Sequence, residues 1–127
     1  MAGKAYILIA DDEPDIAAVY QTKLESAGYT VATVANGKEA IASVRSKKPD
    51  LVLMDMKMPE LDGIDATMQL KEDAATKGVK VVFLTAFSDP VNPSMDVTAA
   101  KELGAVDFIR KGISLDEFLA RVEKLLA

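Results

Sequence analysis

The sequence predicts an α/β fold, a parallel sheet covered by helices on both faces, and three observations carry that prediction. Apolar runs alternate with stretches of helical periodicity five times along the chain. The runs are continuous rather than alternating, as in DLVLM at 50–54, which marks strands buried on both faces and hence a parallel sheet. Start and stop residues of helices fall in the gaps between the runs, so the order reads βαβαβαβαβα.

The elements follow in order. AYILIA at 5–10 is the first strand, and Pro14 suits the first turn of a helix over 14–27 that Gly28 stops in a left-handed cap. YTVATV at 29–34 is the second strand; Asn36 to Glu39 then has the form of a capping box for a helix over 37–47. DLVLMD at 50–55 is the third strand, closed by a turn with Pro59 and Gly63 and followed by a helix over 63–75. KVVFLT at 80–85 leads to a fourth helix over 93–103, with Asn92-Pro93 as its start and Gly104 as its stop. AVDFI at 105–109 is the last strand. The fifth helix, 115–126, puts Leu115, Phe118, Leu119, Val122 and Leu126 on one stripe, and Ser114 with Glu117 forms its capping box.

Composition narrows the function. A chain of 127 residues holds one domain with one core. No apolar run approaches the ~20 residues that span a bilayer, and the N-terminus is not a signal peptide, so a cytoplasmic location without membrane contact is expected. The chain has no cysteine and no histidine, which excludes disulfides, thiol chemistry, most zinc sites and every mechanism with a histidine base. A net charge of -5 argues against a nucleic-acid surface.

In parallel sheets function collects at the carboxyl ends of the strands. There the first strand delivers Asp11-Asp12-Glu13, the third Asp55, the fourth Thr85, and the fifth Phe108 through Lys111. Burying an unpaired carboxylate costs several kcal/mol, and adjacent strands lie only about 4.8 Å apart, so these acids converge and repel. A hard divalent cation, most simply Mg²⁺, resolves the conflict. With Lys111 as a point charge and Thr85 as a hydroxyl, the set suits an anion of the phosphoryl kind. Taken singly the residues have plainer readings: Asp12 as a helix N-cap or turn residue, Thr85 as a strand residue, Lys111 as a solvated end. The methionines, Met54, Met56 and Met58 among them, read as core filler, and the charges of EAIASVRSKK as a solvated helix face. The coincidence of all these groups at four strand ends favours a site.

The segments ILIADDEPD, VATVANGKEA, PDLVLMDMKMPELDG, VVFLTAF and ELGAVDFIRKG, all in register, resemble the receiver domains of two-component response regulators from about Ala5 to Ala127. The resemblance implies a doubly wound, flavodoxin-like three-layer sandwich with strand order 2-1-3-4-5 and five helices. It implies a phosphoacceptor switch: Asp55 takes a phosphoryl group from a phosphohistidine on a sensor histidine kinase or phosphotransfer protein. Asp12 and Asp55 would bind Mg²⁺ (or Mn²⁺) through their carboxylates, Lys57 through its backbone carbonyl and Asp11 through a water. Lys111 would hold the phosphoryl oxygens, Thr85 would hydrogen-bond them, and Ala86 would act through its amide. Phe108 sits at the switch aromatic, which would move as Thr85 is drawn inward and change a partner-binding surface. The expectation is one receiver domain over 1–127 with no output domain, monomeric or weakly dimeric, that binds a downstream protein and is not an enzyme beyond catalysing its own phosphorylation and dephosphorylation.

Three features depart from the family pattern. Lys57 stands two residues after Asp55, at the site mouth, where it bears on phosphate lifetime. SDPVNPSMDVTAA lengthens the interval between Thr85 and Lys111 and alters the fourth-helix surface. Gly112 replaces the usual proline after Lys111, which predicts a trans Lys111–Gly112 peptide, since a non-proline cis bond costs ~2.5–4 kcal/mol. The alternatives are a receiver-like adaptor that is never phosphorylated and a Mg²⁺-dependent phosphohydrolase with an aspartyl intermediate. The full acidic set with Lys111 argues against the first, and Lys57 in place of a second acid against the other. A flavin module would want a hydroxyl-rich loop where DDEPD stands.

Overall fold

The computed structural model describes residues 5–85 and 97–127. Among them lie β1 (Tyr6–Ala10), α1 (Pro14–Ser26), β2 (Thr30–Val34), α2 (Gly37–Ser46), β3 (Leu51–Asp55), α3 (Gly63–Glu72), β4 (Val81–Thr85), α4 (Val97–Glu102), β5 (Asp107–Arg110) and α5 (Leu115–Leu126). The strands form one sheet in the order β2-β1-β3-β4-β5, every neighbouring pair parallel. This is the doubly wound arrangement that the sequence predicts.

Strand periodicity sorts the core into two layers. Ile7, Ile9, Leu51, Leu53, Val82, Leu84 and Ile109 pack against Ala17, Tyr20 and Leu24 of α1 and Phe118 and Val122 of α5. Leu8, Ala10, Val52, Met54, Val81 and Phe83 face the other way, onto Ala40, Ile41 and Val44 of α2, Ala66 and Leu70 of α3, and Ala100 of α4. The three central strands are buried at every position, apart from the first residue of β1. That double burial is why their sequences carry no polar alternation. Met54, Met56 and Met58 are buried in the second layer, as filler would be.

Helix starts follow local chemistry. The Ser114 hydroxyl accepts from the Glu117 amide at 3.1 Å, and Asn36 Oδ1 accepts from the Glu39 amide at 2.9 Å. The Glu39 carboxylate returns the favour to the Ala35 amide at 3.0 Å, one residue earlier than a standard box would place it. Asp62, unmarked in the sequence reading, caps α3 by accepting from the Asp65 amide at 2.8 Å. At α1 the capping position belongs to Glu13, with Pro14 just inside the helix. Asp12 is therefore not the helix cap, and the plainer reading of that residue loses its main support.

Two element ends differ from expectation. α3 stops at Glu72 because Asp73 is extended, with its carboxylate accepting from the Ala75 amide at 2.9 Å and the Thr76 hydroxyl donating to the Leu70 carbonyl at 2.7 Å. β5 begins at Asp107 because the Ala105 amide is still held by the Ala100 carbonyl of α4, at 3.0 Å, past the left-handed Gly104. The expected start of α4 at Asn92-Pro93 lies outside the described residues.

One glycine brings α3 against the end of β3. The Gly63 amide donates to the Met56 carbonyl at 3.0 Å. A Cβ on Gly63 would lie 1.9 Å from the Asp55 carbonyl oxygen and 2.8 Å from its carbon, backbone atoms that cannot retreat without moving β3. Gly63→Ala should therefore destabilise the fold by about 2–4 kcal/mol in chemical denaturation. A loss below about 1 kcal/mol would show that the start of α3 can slide away from the strand.

Candidate functional site

Register puts the acids together. β1 and β3 are neighbours with Ile9 opposite Leu53, so Asp11 and Asp55, each two residues further on, stand side by side. Both share the parity of the residues that face α1 and α5, and both therefore emerge on that side of the sheet. The chain stays in register just past the strands: the Asp11 amide donates to the Val34 carbonyl at 3.0 Å and the Lys111 amide to the Thr85 carbonyl at 2.8 Å. A buried run thus ends on a carboxylate because the neighbouring strands supply it with partners.

Lys111 is the chief partner. Its Nζ lies 2.8 Å from Asp11 Oδ2, 3.2 Å from Asp55 Oδ2 and 3.6 Å from Glu13 Oε1. Asp11 is only 2% exposed and uses its other oxygen to accept from the Glu13 amide at 2.9 Å. Asp55 is 7% exposed and accepts weakly from the Lys57 amide at 3.4 Å. Burial pushes the Asp55 carboxyl up to about 6 from 3.8; the charge of Lys111 opposes the rise and that of Asp11 adds to it. Burial acts to lower the Lys111 ammonium, but its hydrogen bond to Asp11 and the two carboxylate charges outweigh that and hold its pKa above the ordinary value.

Among the described residues Lys111 pairs with Asp11, Glu13 and Asp55, and three carboxylates outweigh its one charge. Asp11, Asp12, Glu13 and Asp55 each bring an oxygen, and all of these lie within 4.8 Å of one another. The donors are oxygen only, which is the set a hard divalent cation such as Mg²⁺ takes. The residues present fit that ion. A cleft of about 280 Å³ lined by Asp12, Glu13, Asp55, Met56, Lys57, Leu84 and Lys111 opens above them.

Thr85 ends β4 on the parity of Val81 and Phe83, and Phe83 pairs with Phe108. Its hydroxyl is buried and has no hydrogen-bond partner among the described residues. Phe108 is half-buried, with the Arg110 guanidinium 5.4 Å from its ring centre and the Arg121 guanidinium donating to its carbonyl at 2.7 Å. Lys57 is exposed at the mouth. Ala86 lies outside the described residues. The Lys111–Gly112 peptide is trans, since no cis bond occurs among the described residues, and Gly112 has φ +97°, a value that favours glycine.

Two residues at the site have no role that the family resemblance assigns. Glu13 joins the acidic group, and its adjacency to Asp11-Asp12 was the available signal. Tyr20 is buried on α1, its ring stacked on Phe118 with centroids 4.3 Å apart; burial pushes its hydroxyl pKa up, and the Lys111 charge and the nearby Gly112 amide oppose the rise. Helical spacing with Ala17 and Leu24 could place Tyr20 on the inner face, but its link to Gly112 depends on the path of a loop.

A five-stranded sheet of this order with an acid cluster and a lysine at its carboxyl edge defines a phosphoacceptor signalling module. The response regulator receiver domain family matches residues 7–123, and the chain belongs to it. Among relatives, the DNA-binding response regulator MtrA of Mycolicibacterium smegmatis is 38% identical over 120 residues, 94% of this chain and 50% of MtrA. The alkaline phosphatase synthesis transcriptional regulatory protein PhoP of Bacillus subtilis is 36% identical over 120 residues, 94% of this chain and 48% of PhoP. The chain spans about half the length of these curated relatives. The signal receiver domain of a signal transduction histidine kinase from Syntrophus aciditrophicus superposes with a TM-score of 0.83 at 35% identity, over 97% of this chain and 90% of that one. The receiver domain of Francisella response regulator 1452 does so with a TM-score of 0.82 at 29% identity, over 97% of each.

The raised Asp55 carboxyl has a consequence for stability. Its folded-state pKa of about 6 exceeds the unfolded value near 3.8, so the fold binds this proton more tightly than the unfolded chain does. The resulting stability is fully present below the unfolded value and is lost as pH rises through the folded one. In metal-free buffer Asp55→Asn, which stays neutral, should therefore be more stable than the wild type near neutral pH. The gap should be about 2 kcal/mol, less than the full shift implies because solvent at the open mouth screens the charges. Urea denaturation across the acid range should show it closing as pH falls through about 6 towards 3.8. A gap independent of pH, or a less stable asparagine variant, would contradict the assignment.

Proposed function

We propose that Asp55 is the phosphoacceptor of this receiver domain and that it takes its phosphoryl group from a phosphohistidine on a sensor histidine kinase or phosphotransfer protein. The observation that carries the reading is the convergence of buried Asp55 with Asp11, Asp12, Glu13 and Lys111 at the carboxyl edge of the sheet. An Asp55 oxygen attacks phosphorus, the phosphorus–nitrogen bond breaks, and the imidazole leaves with the bonding pair. Asp12 and Asp55 would hold Mg²⁺, or Mn²⁺ in its place, with the Lys57 carbonyl and, through a water, Asp11. The metal supplies charge neutralisation for the transferring group.

The chain's own residues do the remaining work. Lys111 already lies 3.2 Å from Asp55 and would follow the charge onto the phosphoryl oxygens. Thr85 has a buried hydroxyl with a hydrogen to give, and a phosphoryl oxygen is the acceptor it lacks among the described residues. The Ala86 amide is assigned the same task. Phosphorylation adds roughly one negative charge at Asp55. Thr85 moves towards it, and Phe108, on the same side of the sheet, turns into the space left behind. The chain is a switch that catalyses only the gain and loss of its own phosphate. Its net charge of -5 supports a protein rather than nucleic acid as the downstream contact of this domain. A cytoplasmic location and a monomeric or weakly dimeric state belong to the same reading.

A small-molecule phosphodonor with Mg²⁺ should add one phosphoryl group by intact mass, and Asp55→Asn should add none. Asp12→Ala should abolish both Mg²⁺ binding and phosphorylation while raising stability in metal-free buffer, because it removes a repelling charge. Unchanged mass in folded wild-type protein would overturn the reading, and phosphate on another residue would move the acceptor away from Asp55.

A further inference from the structure

The turn between β3 and α3 carries Lys57 and contains the one non-glycine residue with positive φ among the described residues, Glu60 at +66°. Such a conformation persists only where the surroundings impose it. The ends of the turn show what imposes it. At the near end the Gly63 amide holds the Met56 carbonyl at 3.0 Å. At the far end the Leu61 carbonyl accepts from the Gly37 amide, the first residue of α2, at 2.8 Å, while the Leu61 amide donates back to the Pro59 carbonyl at 2.7 Å.

The Gly37 contact admits no side chain. A Cβ there would lie 2.3 Å from the Leu61 carbonyl oxygen and 2.9 Å from its carbon, both backbone atoms of the turn. Asn36 fixes the other partner, since its side chain caps α2 through the Glu39 amide at 2.9 Å and so sets where Gly37 sits. α2 itself is anchored in the core by Ala40, Ile41 and Val44. A well-anchored helix start therefore grips the end of a short, strained turn whose other end emerges beside Asp55.

We propose that Gly37 is a positioning residue for the metal site: by clamping the Leu61 carbonyl it holds the β3–α3 turn, and with it Lys57, in the geometry that Mg²⁺ requires. This rests on the reading of Lys57 as a backbone ligand. Outer partners that orient ligands commonly change metal affinity roughly 10–100-fold when lost. By linkage, a clamp that favours metal binding must itself be favoured by the metal.

The test is an amide NMR titration of the whole chain with MgCl₂, following Asp12, Asp55 and Lys57. Two substitutions remove the clamp. Gly37→Ala inserts a Cβ under the Leu61 carbonyl. Gly37→Pro does so and also deletes the amide hydrogen, at a first helical position that tolerates proline after an extended Asn36. Both should weaken Mg²⁺ binding roughly tenfold. Ala40→Gly, which loosens the same helix in the core, should leave affinity within about twofold despite its cost in stability. In the wild type, saturating Mg²⁺ should slow hydrogen exchange at the Gly37 amide, a readout that needs no variant. Wild-type affinity in either Gly37 variant, equal weakening by Ala40→Gly, or unchanged exchange at Gly37 would overturn the proposal. A wild type that binds no Mg²⁺ would instead overturn the metal site itself.

Discussion

Asp11 and Asp55 stand side by side because β1 and β3 are neighbours in register, and both are buried on the side of the sheet that faces α1 and α5. Burial pushes the Asp55 carboxyl up to about 6, and the charge of Asp11 beside it adds to the rise that Lys111 opposes. Much of the surrounding structure answers it. Lys111 spans both acids from the end of β5, and the Glu13 amide takes the second oxygen of Asp11. The compensation is incomplete, because Asp12 and Glu13 add further negative charge at the mouth. An excess of charge held in a rigid frame attracts a small cation, and a cation there in turn admits an anion.

The frame that holds Lys111 is local to this sequence. Gly112 follows it with a trans peptide and a left-handed backbone, and Tyr20, Lys111 and Gly112 line one cleft. Tyr20 is stacked on Phe118, and Lys23 of α1 pairs with Asp116 of α5 at 2.7 Å, so α1 and α5 together frame the loop that aims the lysine. Where a proline would restrict the backbone directly, this chain uses tertiary contacts around a permissive glycine.

Most of the fold was legible because parallel strands buried on both faces leave continuous apolar runs, and because Ser114, Asn36, Pro14, Gly28 and Gly104 are local signals with local causes. Asp11, Asp12, Asp55 and Lys111 were legible as neighbours because each ends a strand or directly follows one, whereas Thr85 stands on the other parity of β4. What escaped depended on neighbours distant in sequence. The closeness of Gly63 to Asp55 and of Gly37 to Leu61 arises from docking between elements, and no period or cap announces it. The early end of α3 at Asp73 was set by a side-chain turn competing with the helix for the same backbone groups. Asp12 looks like a cap because it stands just ahead of Glu13-Pro14, but Glu13 holds that position.

Burial and the Asp11 charge disfavour the ionised Asp55, and a divalent cation would relieve that cost. The most direct measurement is the titration of the Asp55 carboxyl carbon by ¹³C NMR, without metal and with saturating Mg²⁺. The midpoint should lie near 6 without metal and fall below the ordinary 3.8 with it. A metal-free midpoint already near 3.8 that Mg²⁺ does not move would contradict it.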